Sequence, residues 1–544
     1  AAEAYARIEN KIAAVCVTSG PGGTNAITGV VGGWLDSIPM LIISGQVKRE
    51  TTIWSVPLIG LRQLGDQEFD IIHTVANMTK YAVMVTEPTE IAYHLEKAIY
   101  LAMHGRRGPV WIDIPLDVQG AKIDVECLTH FVPSDEEIVP LFTEEKARKV
   151  IEIIKNAKRP LLLVGSAVRF SGVCSQFLQL VEKLKIPVVT AWNANDTIAF
   201  DNDYFVGMAG TIGVRSANFA VQACDVLLSI GSRLNLRMVS YNKNGFATNA
   251  YKIIVDIDAK ELQKPTVIPD MPIEADAKQF IEVLLQSDYE ENAQHAQWLV
   301  RCKELLKKYP AVSPEYHHDN APINPYVAVD MLFDKLSCND KIVCGNGSAC
   351  VISFQAGKIK QGQRLFTNSG CAAMGYGLPA AIGAAFANKN ERIICIDGDG
   401  SLMMNIQELA TVAYHNLNLK LFVINNNGYH SIRQTQTNVF NPPLIGIGPE
   451  SGLGFPNFEL IAKAFDIQYF RLDSEKNAQA CFDEVLCQDG PVFCEMIVDY
   501  TQNFAPKLSS KVMPDGKIIS PSLDDMFPFL PSEEYNNIRR YINE

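Results

Sequence analysis

No apolar run in the chain approaches the ~18 residues that a bilayer-crossing helix needs, so no membrane span is expected. None of the 13 cysteines forms a C-x-x-C pair. The closest neighbours, Cys338/Cys344/Cys350 and Cys481/Cys487, are widely spaced, while Cys16 (AAVCVTS) and Cys395 (RIICIDGDG) sit inside apolar runs. That pattern argues against a disulfide framework or a zinc site. It points to buried free thiols in a reducing, cytoplasmic compartment. Positive charge is short: 48 Lys+Arg stand against 61 Asp+Glu, a net charge of −13. Such a balance argues against nucleic acid as the main partner. Short-period repeats and low-complexity tracts are also missing, and no signal peptide is expected. The chain opens at Ala1 without Met, in the helical-looking AAEAYARI, and is expected to be a fragment lacking its first segment.

What is present is a globular composition of 544 residues, 47% hydrophobic and 20% charged. At ~100–200 residues per domain this predicts about three domains. In the first, 1–125, the strand-like runs IAAVCVTS, MLIISGQ and GPVWIDIP alternate with helical stretches such as PTEIAYHLEKAIYLAMHG. A polar, Pro-bearing linker near 127–141 follows. The second, 140–305, holds RPLLLVGSA, IPVVTAW, CDVLLSIGS and KIIVDID; a linker around KKYPAVSPEYHHDNAP leads into the third, 322–505, with KIVCGNGS, ERIICIDGDGS, LKLFVINNN and GPVFCEMIV. A Pro- and Ser-rich tail, 506–544, closes the chain. Short apolar strands alternating with helices predict an α/β fold of three doubly wound parallel sheets.

The most informative stretch carries two strand ends. An apolar strand runs into Asp397-Gly398-Asp399-Gly400-Ser401, a helical pattern follows, and a second strand runs into Asn425-Asn426-Asn427-Gly428. Ligands bind beyond the carboxyl ends of parallel strands. A carboxylate from Asp399, an amide oxygen from Asn426 and a carbonyl near Gly428 form an oxygen set suited to Mg²⁺ when phosphates supply the remaining ligands. Gly398 and Gly400 allow close backbone approach, and N–H groups at the helix start suit phosphate oxygens. Either dipeptide alone would mark a turn. The pair, GDG followed after 24 residues by NN, matches the thiamine diphosphate signature.

The likeness extends through nearly the whole chain. AAEAYARI, TSGPGGTN, ISGQV and GRRGPVWIDIPLDVQ resemble the pyrimidine-binding domain of acetolactate synthase, SGCAAMGYGLPAAIGA the approach to its diphosphate motif, and GMAGTIG and GSRLNLR its middle domain. The chain thus resembles the acetolactate synthase group of thiamine-diphosphate enzymes. The resemblance implies a cofactor lying between two subunits of a homodimer or homotetramer, with Met374 holding its V-shape and the Ala372 carbonyl accepting from its 4′-amino group. It implies Gly22, Asn346, Gly347, Ser348, Asp399, Gly400, Ser401, Asn426 and Gly428 as cofactor contacts, with Asp399, Asn426 and Gly428 on the metal. Gln67 and Lys80 match positions near the substrate entrance. The family's catalytic Glu would fall upstream of Ala1, which would leave the chain as given a weak or inactive catalyst. Glu3 is read as a helix-surface carboxylate. His73 and His430 match no catalytic position and are read as surface or packing residues.

The same resemblance implies FAD in the middle domain, on segments holding Gly165, Ser166, Met208, Gly231, Ser232, Arg233, Asn235, Arg237, Asp256, Ile257 and Asp276. Arg233 would meet a phosphate bidentately. Ala209 and Asn235 stand where the family usually has His and Asp. The implied reaction is carboligation: pyruvate loses carbon dioxide and its two-carbon unit passes to a second carbonyl. Gln434-Thr435-Gln436 stands where the synthase has Q-W-Q, so a bulky wall of the acceptor pocket is replaced by Thr. The tail APKLSSKVMPDGKIISPSLDDMFPFL also departs from the synthase and resembles enzymes of surface-polysaccharide clusters, some of which act on a nucleotide-linked ketosugar. An oxidase or simple decarboxylase on the same scaffold, and a non-catalytic cofactor-binding partner subunit, are the other readings.

Overall fold

The protein is described from a computed structural model, which covers residues 1–133, 139–319, 321–389, 391–440, 443–512 and 518–544. The expected linkers and tail fall in part on 134–138, 320 and 513–517, outside the described residues. Three parallel sheets form, one for each α/β domain.

The first comprises β1 (Ala13–Val17), β2 (Met40–Gln46), β3 (Ala82–Met84) and β4 (Val110–Pro115), in the order β1-β2-β4-β3. The second comprises β5 (Pro160–Val164), β6 (Val188–Thr190), β7 (Phe205–Met208), β8 (Val226–Ile230), β9 (Tyr251–Asp256) and β10 (Met271–Glu274), in the order β10-β9-β8-β5-β6-β7. The third comprises β11 (Lys341–Cys344), β12 (Arg364–Phe366), β13 (Ile393–Gly398), β14 (Leu419–Asn425), β15 (Gln468–Leu472) and β16 (Val492–Ile497), in the order β12-β11-β13-β14-β16-β15.

The central strands are the apolar runs. PLLLV of β5 and VLLSI of β8 are buried along their whole length, as strands covered on both faces must be. The stretch PTEIAYHLEKAIYLAMHG folds into the helix Ile91–Met103, burying His94, Ala98 and Ala102 at helical spacing. Five strands were not foreshadowed by apolar runs: β3, β7, β10, β12 and β15. All five are edge strands. An edge strand pairs on one side only and is short, so it leaves little periodic signal.

Two expectations need correction. Cys16 is exposed, because β1 is itself an edge strand with alternate residues outward; Cys395, on central β13, is buried as expected. Glu3 is not a surface carboxylate but buried. It accepts from Arg7 Nε at 2.7 Å, and Arg7 also pairs with Asp36 at 2.5 Å. Asp36 in turn accepts from the N–H groups of Ser369 and Gly370 at 3.0 and 2.9 Å. Arg7, placed four residues on along the helix Ala2–Glu9, makes the burial tolerable.

A buried ion cluster joins the second and third sheets. Asp196 accepts from Arg169 Nε at 3.2 Å, and from Arg364 Nε at 2.8 Å and the Leu365 N–H at 3.0 Å. Burial alone would raise the Asp196 carboxyl, but the two guanidiniums overcome it and hold the group below the ordinary carboxylate range. Burial, with repulsion from Arg169, brings Arg364 down to about 10.

Candidate active site

In the third sheet the chain order reverses between β11 and β13. Such a switch point opens a crevice beyond the carboxyl ends of the strands. β11 continues through Gly345-Asn346-Gly347 into the helix Ser348–Ala356, β13 runs straight into the helical turn Asp399–Leu402, and β14 ends at Asn425 beside Asn426. The residues expected around a metal diphosphate therefore meet at neighbouring strand tips.

They are joined by hydrogen bonds. Asp399 accepts from the Gly400 N–H at 2.7 Å and from the Gly428 N–H at 2.9 Å. Asn426 Nδ2 donates to Ser348 Oγ at 3.0 Å, and Ser401 Oγ accepts from the Gly375 N–H at 3.0 Å. Gly428 has φ 140°, and a Cβ there would stand 1.8 Å from the Ile447 carbonyl oxygen, so no other residue fits without moving the loop. Burial pushes Asp399 up to about 7 despite these donors. Asn426 Oδ1 is buried and has no hydrogen-bond partner among the described residues. An orphaned acceptor of this kind costs ~1–3 kcal/mol unless something fills it. A hard cation beside Asp399 would satisfy both observations, since it accepts amide oxygen and favours the ionised carboxylate. Among the described residues no three His, Cys, Asp or Glu side chains converge as a metal-ligand cluster. A metal here would draw its remaining oxygens from a backbone carbonyl and a phosphate-bearing ligand, so the donor set fits Mg²⁺ on a diphosphate.

The other expected residues are placed as follows. Met374 is partly exposed next to the Gly375–Ser401 bond. Ala372 adopts φ 53°, and its N–H donates to the Asn368 carbonyl at 2.9 Å. Gly22 lies in the first turn of the helix Pro21–Asp36. Gln67 is exposed with φ 60°, and Lys80 Nζ donates to the His104 carbonyl at 2.6 Å. His73 is exposed and stacks on Trp54 at 4.8 Å. His430 is buried, edge-on to Phe504 at 5.0 Å. Burial foremost, then Arg433, brings it down to about 4.

Of the middle-sheet set, Gly165, Ser166, Gly231 and Ser232 follow β5 and β8 at that sheet's own switch point, whereas Met208 lies on β7, Asp256 ends β9 and Asp276 follows β10. Gly165 and Gly231 touch there: the Gly165 N–H donates to the Ile230 carbonyl at 2.9 Å, and a Cβ on Gly165 would stand 2.0 Å from the Gly231 oxygen. Ser166 opens the helix Ala167–Phe170. The Ser232 hydroxyl is buried without a partner among the described residues. Arg233 pairs with Glu261 at 3.3 Å, and Arg237 lies over the Trp192 ring at 5.7 Å. Asn235 and Asp276 accept from the N–H groups of Met238 and Lys278, each capping a helix. Asp256, beside Ile257, accepts from the Asp258 N–H at 3.0 Å, and Met208 is core.

Arg433 was not singled out in the sequence. Its guanidinium donates to the carbonyls of Asn426 at 2.9 Å and Asn427 at 2.7 Å, bracing the strand tip from the following helix. A lone Arg in a helical pattern carries no signal for this, because the acceptors are backbone atoms.

Comparison with known proteins identifies the family. Residues 1–73 match the N-terminal TPP binding domain of thiamine pyrophosphate enzymes, 147–284 their central domain and 345–496 their C-terminal TPP binding domain. A fold of three such sheets with this strand-tip site is that of a thiamine pyrophosphate enzyme. The acetolactate synthase large subunit of Cyanidium caldarium is 32% identical over 519 residues, covering 94% of this chain and 86% of that protein. That of Lactococcus lactis subsp. lactis (strain IL1403) is 31% identical, covering 95% and 87%, and the isozyme 1 large subunit of Escherichia coli (strain K12) is 32% identical, covering 93% and 86%. The chain belongs to the acetolactate synthase large-subunit family of thiamine pyrophosphate enzymes. No helix among the described residues is long and apolar enough to cross a membrane.

Proposed function

We propose that the protein is a thiamine-diphosphate- and Mg²⁺-dependent carboligase that decarboxylates pyruvate and joins its two-carbon unit to the carbonyl of a second 2-keto acid. In this reading the chain divides at 1–125, 140–305, 322–505 and 506–544, and works in the cytoplasm as a homodimer or homotetramer. The observation that carries it is the orphaned Asn426 oxygen beside the buried Asp399 carboxyl. Thiamine diphosphate, when bound, supplies the electron sink for loss of carbon dioxide. The chain's own contribution is placement. Asp399, Asn426 and the Gly428 carbonyl would hold the metal; Asn346, Gly347, Ser348, Gly400 and Ser401 would border the phosphates; Met374, Ala372 and Gly22 would contact the cofactor's rings. Gln67 and Lys80 would line the substrate's approach. Asp399→Asn and Asn426→Ala are each expected to weaken Mg²⁺-dependent cofactor binding by about tenfold or more, as loss of a buried ligand does. Fluorescence titration of the full-length protein measures this, alongside acetolactate formation from pyruvate. Unchanged cofactor affinity in both variants would refute the site.

FAD belongs to the same reading, at the crest formed by Gly165, Ser166 and 231–233. The Ser232 hydroxyl, buried without a partner among the described residues, supports it. The Arg233–Glu261 pair would have to open for Arg233 to meet a phosphate. Purified full-length protein is expected to show flavin absorbance that denaturation releases.

A second acceptor class, a nucleotide-linked ketosugar, is favoured by one observation. Thr435 is exposed, its hydroxyl folded back on the Ser431 carbonyl at 3.0 Å, so no bulky wall stands at the expected position of the synthase's Trp. Product analysis with pyruvate alone and with pyruvate plus ketosugar separates the two. Acetaldehyde release would indicate a decarboxylase, flavin reduction during turnover an oxidase, and no turnover a partner subunit.

A further inference from the structure

The helix His430–Thr435 begins two residues beyond Gly428 and carries two buried polar side chains one turn apart, His430 and Gln434. Residues four apart share a helix face. The segment 502–507 meets that face. Phe504 stands edge-on to His430, Asn503 Oδ1 accepts from Gln434 Nε2 at 2.7 Å, and Lys507 Nζ donates to Gln434 Oε1 at 3.0 Å.

Lys507 is held in place by its backbone. Its N–H donates to the Phe527 carbonyl at 2.9 Å, the preceding Pro506 carbonyl accepts from Gln355 Nε2 at 2.6 Å, and the following Leu508 N–H donates to the Thr211 carbonyl at 2.7 Å. No carboxylate pairs with its half-buried ammonium among the described residues; its one hydrogen bond is to a neutral amide. An ammonium has three donors, so two are unspent. Neither ring nitrogen of His430 makes a full hydrogen bond among the described residues, although the Gln502 backbone faces the ring and the residue is only 7% exposed. Besides the Gln502 backbone and Lys507, the charged groups facing it are already engaged. Arg433 is spent on the Asn426 and Asn427 carbonyls, and Asp499 accepts from the N–H and hydroxyl of Thr501 at 2.8 and 2.7 Å. A half-buried cation without a carboxylate partner, set against the same buried helix face as His430, is costly unless an anion joins it.

We propose that Lys507, with His430 and Gln434, forms the subsite that takes the anionic group of the acceptor substrate: the carboxylate of a 2-keto acid or the phosphate of a nucleotide-linked sugar. The inference rests on the carboligase reading above. The cofactor's diphosphate is accounted for at the strand tips, whereas this patch lies further along the helix that also carries Thr435. An ammonium accepts either anion as a point charge, and His430 adds an N–H donor.

The test uses two unreactive probes, oxamate for a carboxylate and uridine diphosphate for a phosphate. Each is titrated by calorimetry into full-length protein loaded with thiamine diphosphate and Mg²⁺. Wild type is expected to bind at least one, and the preferred probe identifies the acceptor class. Lys507→Met should weaken that binding about tenfold or more, while Lys507→Arg stays within about threefold. Cofactor affinity should be unchanged, and the melting temperature should move by less than ~2 °C. Binding of neither probe by wild type, equal binding by Lys507→Met, or a loss matched by lost cofactor affinity would each overturn the proposal. Failure of the carboligase reading shows separately, as no consumption of pyruvate by wild type.

Discussion

At the scale of single residues, burial decides chemistry that residue type leaves open. Asp399 and Asn426 carry ordinary side chains, and what distinguishes them is that one is pushed up to about 7 and the other keeps an unfilled oxygen. The types and spacing were legible in GDG and NN; the unfilled oxygen was not, because it depends on Ser348 taking the Asn426 amide nitrogen from 78 residues away. Burial has the opposite consequence at His295, in the middle domain. Its Nε2 donates to the Ala157 carbonyl at 3.0 Å, and burial holds its pKa below the ordinary value. A histidine with a lowered folded pKa stabilises the fold fully above its unfolded value of ~6.5, and that stability is lost as pH falls through this value toward the folded one. Urea midpoints of wild type should therefore decline between about pH 7 and pH 5 more steeply than those of His295→Gln, which cannot take the proton. Parallel declines would show that His295 contributes nothing to acid sensitivity.

At the scale of elements, strand ends and helix starts are the working parts. The central strands were legible as apolar runs because both of their faces are covered. The five edge strands were not, because one-sided pairing asks for only three to five residues and no sustained pattern. Turn geometry was half legible. GS after β5 and β8 marked two turns, but only the folded sheet shows the two glycines pressed together, with 2.0 Å between a Gly165 Cβ and the Gly231 oxygen. Gly165→Ala sets a carbon against backbone that cannot swing away. A cost of ~1–3 kcal/mol is expected, read as a lowered thermal midpoint and, in the flavin reading, as lost flavin absorbance. Asp276 illustrates the reverse case. Its carboxylate caps the helix Ala277–Gln286, so Asp276→Ala should cost about 1 kcal/mol of stability whether or not flavin binds, and calorimetry on flavin-free protein isolates that cost.

At the scale of the molecule, the second and third sheets are joined through the buried Asp196, which meets Arg169 and Arg364. Removing the central charge would strand two guanidiniums in the interior. Asp196→Asn is expected to cost ~3–5 kcal/mol, seen as a large fall in thermal midpoint with the two domains unfolding as separate calorimetric transitions. A single unshifted transition would show the cluster to be dispensable. The sequence by itself determined the alternation of strand and helix, the oxygen-donor types at two strand ends and, by resemblance, the cofactor class, because these depend on residues close along the chain. Only the tertiary structure decided which oxygen donors stay unfilled among the described residues, that Glu3 is buried, and that no described carboxylate pairs with Lys507. Those outcomes depend on partners such as Arg364, 168 residues from Asp196, and Lys507, 73 residues from Gln434. Burial and pairing are properties of the packed chain, set by what the fold brings close and by the water it excludes.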